Sequence, residues 1–401
     1  MDDYVLILNA GSSSLKFCVF SRPQEEDWSL DCRGQIEGIG GAARLSARDA
    51  AGQKLIAHRV QGGVRDQREA LDSVAEWLRA RYGTHAKTRI LGVGHRVVHG
   101  GAKYTAPIQV TDEVLKELHA LTPLAPLHQL YNLAAIEAVS ERMPGVPQVA
   151  CFDTSFHRTM SAVAELVPLP REMRREGLQR YGFHGLSYEY IANALPRVAP
   201  EIADRRVIVA HLGSGASVCA MSGGKSVDCS LGFTALDGLC MGTRPGSLDP
   251  GVVLFLFQAK QMPAQEVQRM LYKKSGLLAI SGSSNDMRDL LGSDEPDARL
   301  AVDYFVYRAA KEIGAMAAVL GGVDAIVFTA GMGEHSVEIR ERICLASAWL
   351  GIDFDFQANA RHSSQISRPG STVSAWVVPT NEELMIARHT GLLLGLIAAH
   401  A

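Results

Sequence analysis

The sequence predicts an α/β protein built from two duplicated halves, and three observations carry that prediction. The chain has 401 residues, more than one ordinary core holds and enough for two α/β domains. Near its start, the apolar Val5-Leu6-Ile7-Leu8 leads into the small-residue turn Asn9-Ala10-Gly11-Ser12-Ser13-Ser14 and a second apolar run from Leu15 to Phe20. The same plan returns in the second half. Val207-Ile208-Val209-Ala210 enters His211-Leu212-Gly213-Ser214-Gly215, and Ala216 to Met221 follows. Strand, glycine- and serine-rich turn, strand is a hairpin signal in both places. A further echo pairs residues 90–96 with 325–334, each an apolar strand entering glycine-rich turns. A duplicated fold with a cleft between its halves accounts for both echoes.

Each element follows in order. Residues 22–88 mix charge, glycine and short apolar runs and predict a strand-rich periphery. Thr111-Asp112-Glu113 caps an amphipathic run through Leu115, Leu118 and Leu121, and residues 130–139 predict another helix. Residues 266–271 and 301–320 keep the same helical spacing. The duplication sets a boundary near residue 153. The first domain is expected over 1–153 with a last helix at about 383–398 packing back on it (the segment 383–401), and the second over 154–382.

Composition narrows the function classes. Hydrophobic residues make up 47% and charged residues 21%, as in globular proteins. A net charge of -3 offers no basic footprint for nucleic acid. Met1-Asp2-Asp3-Tyr4 lacks the basic and apolar regions of a signal peptide. Residues 392–399 are about half a membrane span. Seven cysteines, an odd number without a C-x-x-C pair, predict buried reduced thiols and a cytoplasmic setting.

Turns of glycine, serine and asparagine between strands present backbone N–H groups that can ring an anion, and Lys16 adds a point charge. Such a turn alone is commonly just a tight hairpin. Two in equivalent halves, with a third glycine turn at Gly331-Met332-Gly333, favour a nucleotide: two would grip phosphates and the third lie flat beneath the nucleoside. Gly224-Lys225-Ser226 is not a P-loop, because Cys219 stands where the first glycine belongs.

These segments carry a resemblance. Leu8 to Lys16 and Phe152-Asp153-Thr154-Ser155-Phe156-His157 resemble the two signatures of the acetate kinase family. Also similar, in family order, are Gly94 to Gly101, Arg180 to Gly185, Asp237 to Arg244, Ser284 to Asp289, Gly331 to Glu334 and Pro379 to Glu383. The resemblance implies two ribonuclease H-like (actin-like ATPase) domains, as in the sugar kinase, Hsp70 and actin superfamily, with a nucleotide cleft between them. It implies reversible transfer of the γ-phosphoryl group of ATP to acetate by direct in-line displacement, with Mg2+ (or Mn2+) and a homodimer. The alternatives are a propionate or other short-chain fatty acid kinase and a non-catalytic nucleotide-binding switch.

A carboxylate acceptor is already ionised at neutral pH, so no strong base is required. The obstacle is repulsion between two anions, met by positive charge, metal and in-line positioning. The resemblance implies that Arg96 binds substrate and Arg244 stabilises the transition state, both with guanidinium forks suited to oxyanions. It implies that His184 donates a hydrogen bond to the phosphoryl group, though a lone histidine is more often a satisfied core residue. It gives Asp153 as catalytic, expected to orient an arginine or a metal-bound water; helix capping is the alternative. Asn9 and Glu382 match metal-associated positions, with Glu383 as the rival carboxylate and turn stabilisation as the rival role for Asn9. The nucleotide would meet Ser12, Ser14, Lys16, His211, Leu212, Gly213, Ser214, Gly215, Asp286, Met287, Arg288, Gly331, Met332, Gly333, Glu334 and His335. A small apolar pocket for the acid is expected from Val98, Leu127, Phe183 and Ala235. His95, His99, His128, His157 and His211 are expected to support these groups with hydrogen bonds. The chain departs from the family at Ser214 and His335 (usually Asn), at Ala235 (often Pro) and at Ser247 (commonly acidic).

Overall fold

Two sheets share one strand order. A computed structural model describes residues 2–22, 27–83, 88–126 and 128–397, without the side chains of Asp2 and Thr88. The first sheet contains β1 (Asp2–Ala10), β2 (Ser14–Ser21), β3 (Ser29–Glu37), β4 (Arg44–Asp49), β5 (Lys54–Arg59), β6 (Thr88–Val97), β7 (Ile108–Gln109) and β8 (Gln148–Phe152). Their order is β5-β4-β3-β2-β1-β6-β8-β7. The second contains β9 (Arg206–Leu212), β10 (Ala216–Ser222), β11 (Lys225–Cys229), β12 (Ala325–Thr329) and β13 (Ser374–Val377), ordered β11-β10-β9-β12-β13.

The run β3-β2-β1-β6-β8 matches the second sheet strand for strand. β1 pairs antiparallel with β2 and parallel with β6, and β6 runs parallel to β8. In the same way β9 pairs antiparallel with β10 and parallel with β12, which runs parallel to β13. The predicted duplicated α/β class is therefore what the chain forms. β4, β5 and β7 are additions to the first copy.

The central strands are apolar on both sides because both faces of each sheet are covered. Val5, Leu6, Ile7 and Leu8 are all buried, as are Val207 to Ala210 and Ala325 to Phe328. In the first sheet the helices Gln129–Arg142 and Glu382–Leu393 pack on β1 and β6; in the second, Pro296–Val319 covers β9 and β10. Gly94 admits the C-terminal helix: a Cβ there would meet Thr390 Oγ1 at 2.4 Å and Ile386 Cγ2 at 2.6 Å.

The chain divides into one unit of Met1–Ser155 with Asn381–Ala401 and another of Phe156–Thr380. Glu382, expected at the end of the second domain, belongs to the first unit, because Asn381 caps the returning helix through its side chain and Leu384 N–H. That helix ends at Leu393, earlier than the expected 398. The strand-rich reading of 22–88 missed the helix Gln67–Tyr82, capped by Asp66. Gly331-Met332-Gly333 is not a turn but part of the short helix Ala330–His335. Among the described residues no helix is long and apolar enough to cross a membrane. All seven cysteines are buried and unbridged.

Candidate active site

In the first unit the ends of β6 and β8 create a charge cluster. Arg96 is the penultimate residue of β6, and Asp153 directly follows β8. Parallel pairing sets Arg96 opposite Cys151, so the two side chains reach each other. Arg96 Nε donates to Asp153 Oδ1 at 2.9 Å and Nη2 to Oδ2 at 2.7 Å, a two-pronged pair with strong geometric preference. Arg96 Nη1 lies 3.7 Å from Glu382 Oε2. Asp153 is buried and oriented by the backbone bond from its own N–H to Val97 O. Burial acts to lower the Arg96 pKa, but the charges of Asp153 and Glu382 outweigh it and hold the guanidinium above its ordinary value. Glu382 is pushed up to about 7, chiefly by burial, with Asp153 and Glu383 adding to the rise against Arg96 and Lys16.

Beside this cluster runs the turn between β1 and β2. Gly11 N–H bonds Ser14 O, and Gln67 Nε2 donates to Gly11 O. Asn132 joins two segments, donating from Nδ2 to Ala10 O at 2.7 Å and accepting Val98 N–H at 3.0 Å. Ser12 and Lys16 are exposed, Asn9 and Ser14 half-buried. Lys16 lines a cavity of about 290 Å³ with Arg33, Arg48, Asn381 and Glu383. Val98 is half-buried and Leu127 lies outside the described residues.

In the second unit the equivalent turn gathers different chemistry. His184 opens the helix Gly185–Val198 from a left-handed conformation, φ 58°, uncommon for a residue with a side chain. Its Nδ1 bonds Ser217 Oγ at 2.8 Å, and its ring stacks on His211 at 4.3 Å between centroids. Arg244 donates from Nη1 to Ala235 O at 2.6 Å. A Cβ on Gly215 would stand 2.6 Å from Arg244 Nη2 and 3.3 Å from His184 Nε2. Gly215, Arg244 and His184 therefore meet at one point, which a side chain at 215 would crowd. His184 is half-buried rather than displayed by its turn.

The loop bearing Arg244 is tied at both ends. Gly242 N–H bonds Ser214 O, and Ser247 N–H bonds Gly238 O. Ser247 Oγ donates to Asp237 Oδ1 at 2.9 Å. Ala235 matters here through its carbonyl, which a proline also supplies.

A cavity of about 740 Å³ in this unit is lined by Gly213, Ser214, Asp286, Met287, Arg288, Gly331, Met332 and His335, all named from sequence. Sequence reasoning missed its other walls, among them Gly242, Leu277, Asn285 and Glu338. Gly242 and Asn285 lie inside recognised segments and Glu338 shortly beyond one, which is the signal that could have found them. Expected with this group but not lining the cavity are His211, Leu212, Gly215, Gly333 and Glu334. His211 is buried, bonding Ser187 Oγ through Nδ1. Glu334 turns inward, its Oε1 accepting the N–H groups of Ala330 and Thr380. Phe183 is buried, and its carbonyl bonds His157 Nε2. Gly223-Gly224 is a hairpin turn, both residues having positive φ; Lys225 opens β11, and Ser226 bonds His157 Nδ1. His95 is buried on Gln148 and pushed down to about 4 by burial. His99 accepts Gly101 N–H at Nδ1, and His128 precedes the helix Gln129–Arg142.

Comparison with known proteins adds three findings. A family model described as the Acetokinase family matches residues 4–388. An acetate kinase of Rhodopseudomonas palustris is 50% identical over 394 residues, 97% of this chain and 98% of that protein. Among solved structures, Porphyromonas gingivalis acetate kinase is 37% identical with a TM-score of 0.86, and a propionate kinase from Francisella tularensis is 33% identical at 0.90. Each pairing covers 98% of this chain and 100% of the other.

Proposed function

The chain belongs to the acetokinase family, and from that premise we propose that it transfers the γ-phosphoryl group of ATP reversibly to acetate, forming acetyl phosphate and ADP. The observation that carries this reading is the meeting of Arg244 and His184 at Gly215. A guanidinium and an imidazole converging on bare backbone suit a trigonal phosphoryl group whose charge is spread over its equatorial oxygens. Arg96, clamped by Asp153, is the cation for the carboxylate. Asp153 acts by holding that guanidinium; it need not take a proton. Val98 is assigned to the apolar side of the acid's pocket.

The Lys16, Ser12 and Ser14 turn is assigned to phosphate oxygens, and the 740 Å³ cavity to the nucleoside. The residues fit a divalent cation. Glu382 is a half-buried carboxylate pushed up to about 7, an acceptor that a cation would restore to its charged form. Among the described residues no group of three His, Cys, Asp or Glu could hold a metal, but Mg2+ takes few protein ligands and keeps its waters. Asn9 and Glu382 would hold it, and bound there it would neutralise phosphate charge; Mn2+ can serve in its place.

We assign the exposed apolar helix Pro250–Gln258, which buries none of its residues while presenting Val252, Leu254, Phe255 and Phe257, to a homodimer contact. The reduced, buried cysteines accord with a cytoplasmic setting. The test is hydroxamate detection of acyl phosphate with acetate, propionate and butyrate, with and without Mg2+. Acetate should give the highest kcat/KM; a propionate value more than about tenfold above it overturns the assignment.

A further inference from the structure

We propose that Ser217 and Tyr188 are positioning residues that hold His184 in the tautomer carrying its proton on Nε2. The proposal rests on the phosphotransfer reading above. Ser217 Oγ stands at a junction, bonded both to His184 Nδ1 at 2.8 Å and to Tyr188 Oη. Ser217 and Tyr188 are fully buried, so the proton order within this chain is not set by bulk water.

A serine hydroxyl has one proton to give. Either hydroxyl could donate in the Tyr188–Ser217 bond; a phenol is the more acidic partner and so the better donor, which assigns the bond as Tyr188 O–H to Ser217 Oγ. The serine proton then goes to His184 Nδ1, which must accept it. The ring hydrogen is left on Nε2, the nitrogen that lies with Arg244 Nη2 against Gly215. That is where a donor to a phosphoryl oxygen is required. The left-handed backbone of His184, φ 58°, aims the ring in this direction.

The charged and titratable groups facing the ring agree with a neutral form. Arg244 already supplies a positive charge beside Nε2. His211 lies stacked against the other face at an interplanar angle of 19°. A cationic His184 would add like charge at the same spot, which opposes it. His211 has its own anchor, Nδ1 on Ser187 Oγ, whose hydroxyl donates to Thr380 Oγ1.

The experiment is 15N spectroscopy of the whole protein labelled at histidine, with His184→Asn identifying the signal. The expected wild-type pattern is a protonated Nε2 and a bare Nδ1. Ser217→Ala should blur that pattern and lower kcat about tenfold, with KM for acetate and ATP within about twofold. Tyr188→Phe should move both readouts the same way by less. A proton on Nδ1 in the wild type, or Ser217→Ala with wild-type kcat, overturns the proposal. Should Ser217→Ala fail to fold, the wild-type spectrum and Tyr188→Phe decide. A wild type that makes no acetyl phosphate overturns the phosphotransfer reading instead, and the tautomer is read without reference to turnover.

Discussion

β6 and β12 occupy the same place in two copies of one sheet, yet their ends do opposite things. β6 delivers Arg96 to a buried carboxylate, Asp153, with Glu382 alongside. β12 runs into a short helix whose first turn, with Gly331 and Met332, lines a cavity. One copy concentrates charge where its strands end; the other removes side chains there. The hairpin turns differ in the same sense. The β1–β2 turn is backed by Gln67 and Asn132, whereas Gly213 to Gly215 is backed by Arg244 and the histidine pair. A duplicated frame fixes where chemistry can be mounted, at the carboxyl ends of its parallel strands, and leaves each copy free to mount its own.

Breaking the second copy's cation should have the largest effect. Arg244→Ala should lower kcat for acetyl phosphate formation about a thousandfold; turnover within a few fold of wild type would show that its position at Gly215 is incidental. In the first copy, Asp153→Asn strands a partly buried guanidinium. It should cost about 3 kcal/mol of stability in urea titrations and raise the KM for acetate, and an unchanged KM would dissociate the ion pair from substrate binding.

Glu382 sharpens the contrast through pH. Its folded-state pKa of about 7 lies above the ordinary 4.5, so the native state holds the proton more tightly than the unfolded chain. That stabilisation is complete below about 4.5 and is lost as pH rises through about 7. Metal-free protein should therefore weaken between pH 5 and pH 8 by on the order of 2 kcal/mol. Glu382→Gln should flatten that slope, and Mg2+ should restore stability at pH 8 to the wild type alone. A slope shared by both forms would take the titration away from Glu382. The smallest effect is expected at the cavity rim: His335→Asn should change the KM for ATP by only a few fold, because the His335 side chain is 80% exposed and surface changes are small.

Much of this was legible in sequence because hairpins and buried strands announce themselves locally. The apolar runs 5–8 and 207–210 and their glycine turns needed no distant information. Asp153 could be expected to orient an arginine, since it stands at a strand end within a recognisable motif. The helix Gln67–Tyr82 was hidden because its buried residues, such as Ala70, Leu71 and Val74, are interleaved with charge. The inward turn of Glu334 was hidden because its partner Thr380 stands 46 positions away.

The amino-acid order alone determined the duplication, the two turns and the residue types able to manage phosphate and carboxylate. Periodicity and turn chemistry act over a few neighbouring residues, so they are written contiguously. Only the tertiary structure decided which partners these groups have. Arg96 finds Asp153 across 57 positions and Ala10 finds Asn132 across 122. Likewise His184 meets Ser217 across 33 and Arg244 settles on the Ala235 carbonyl. A hydrogen bond depends on tenths of an ångström and on direction, and those are set by how strands align and helices pack.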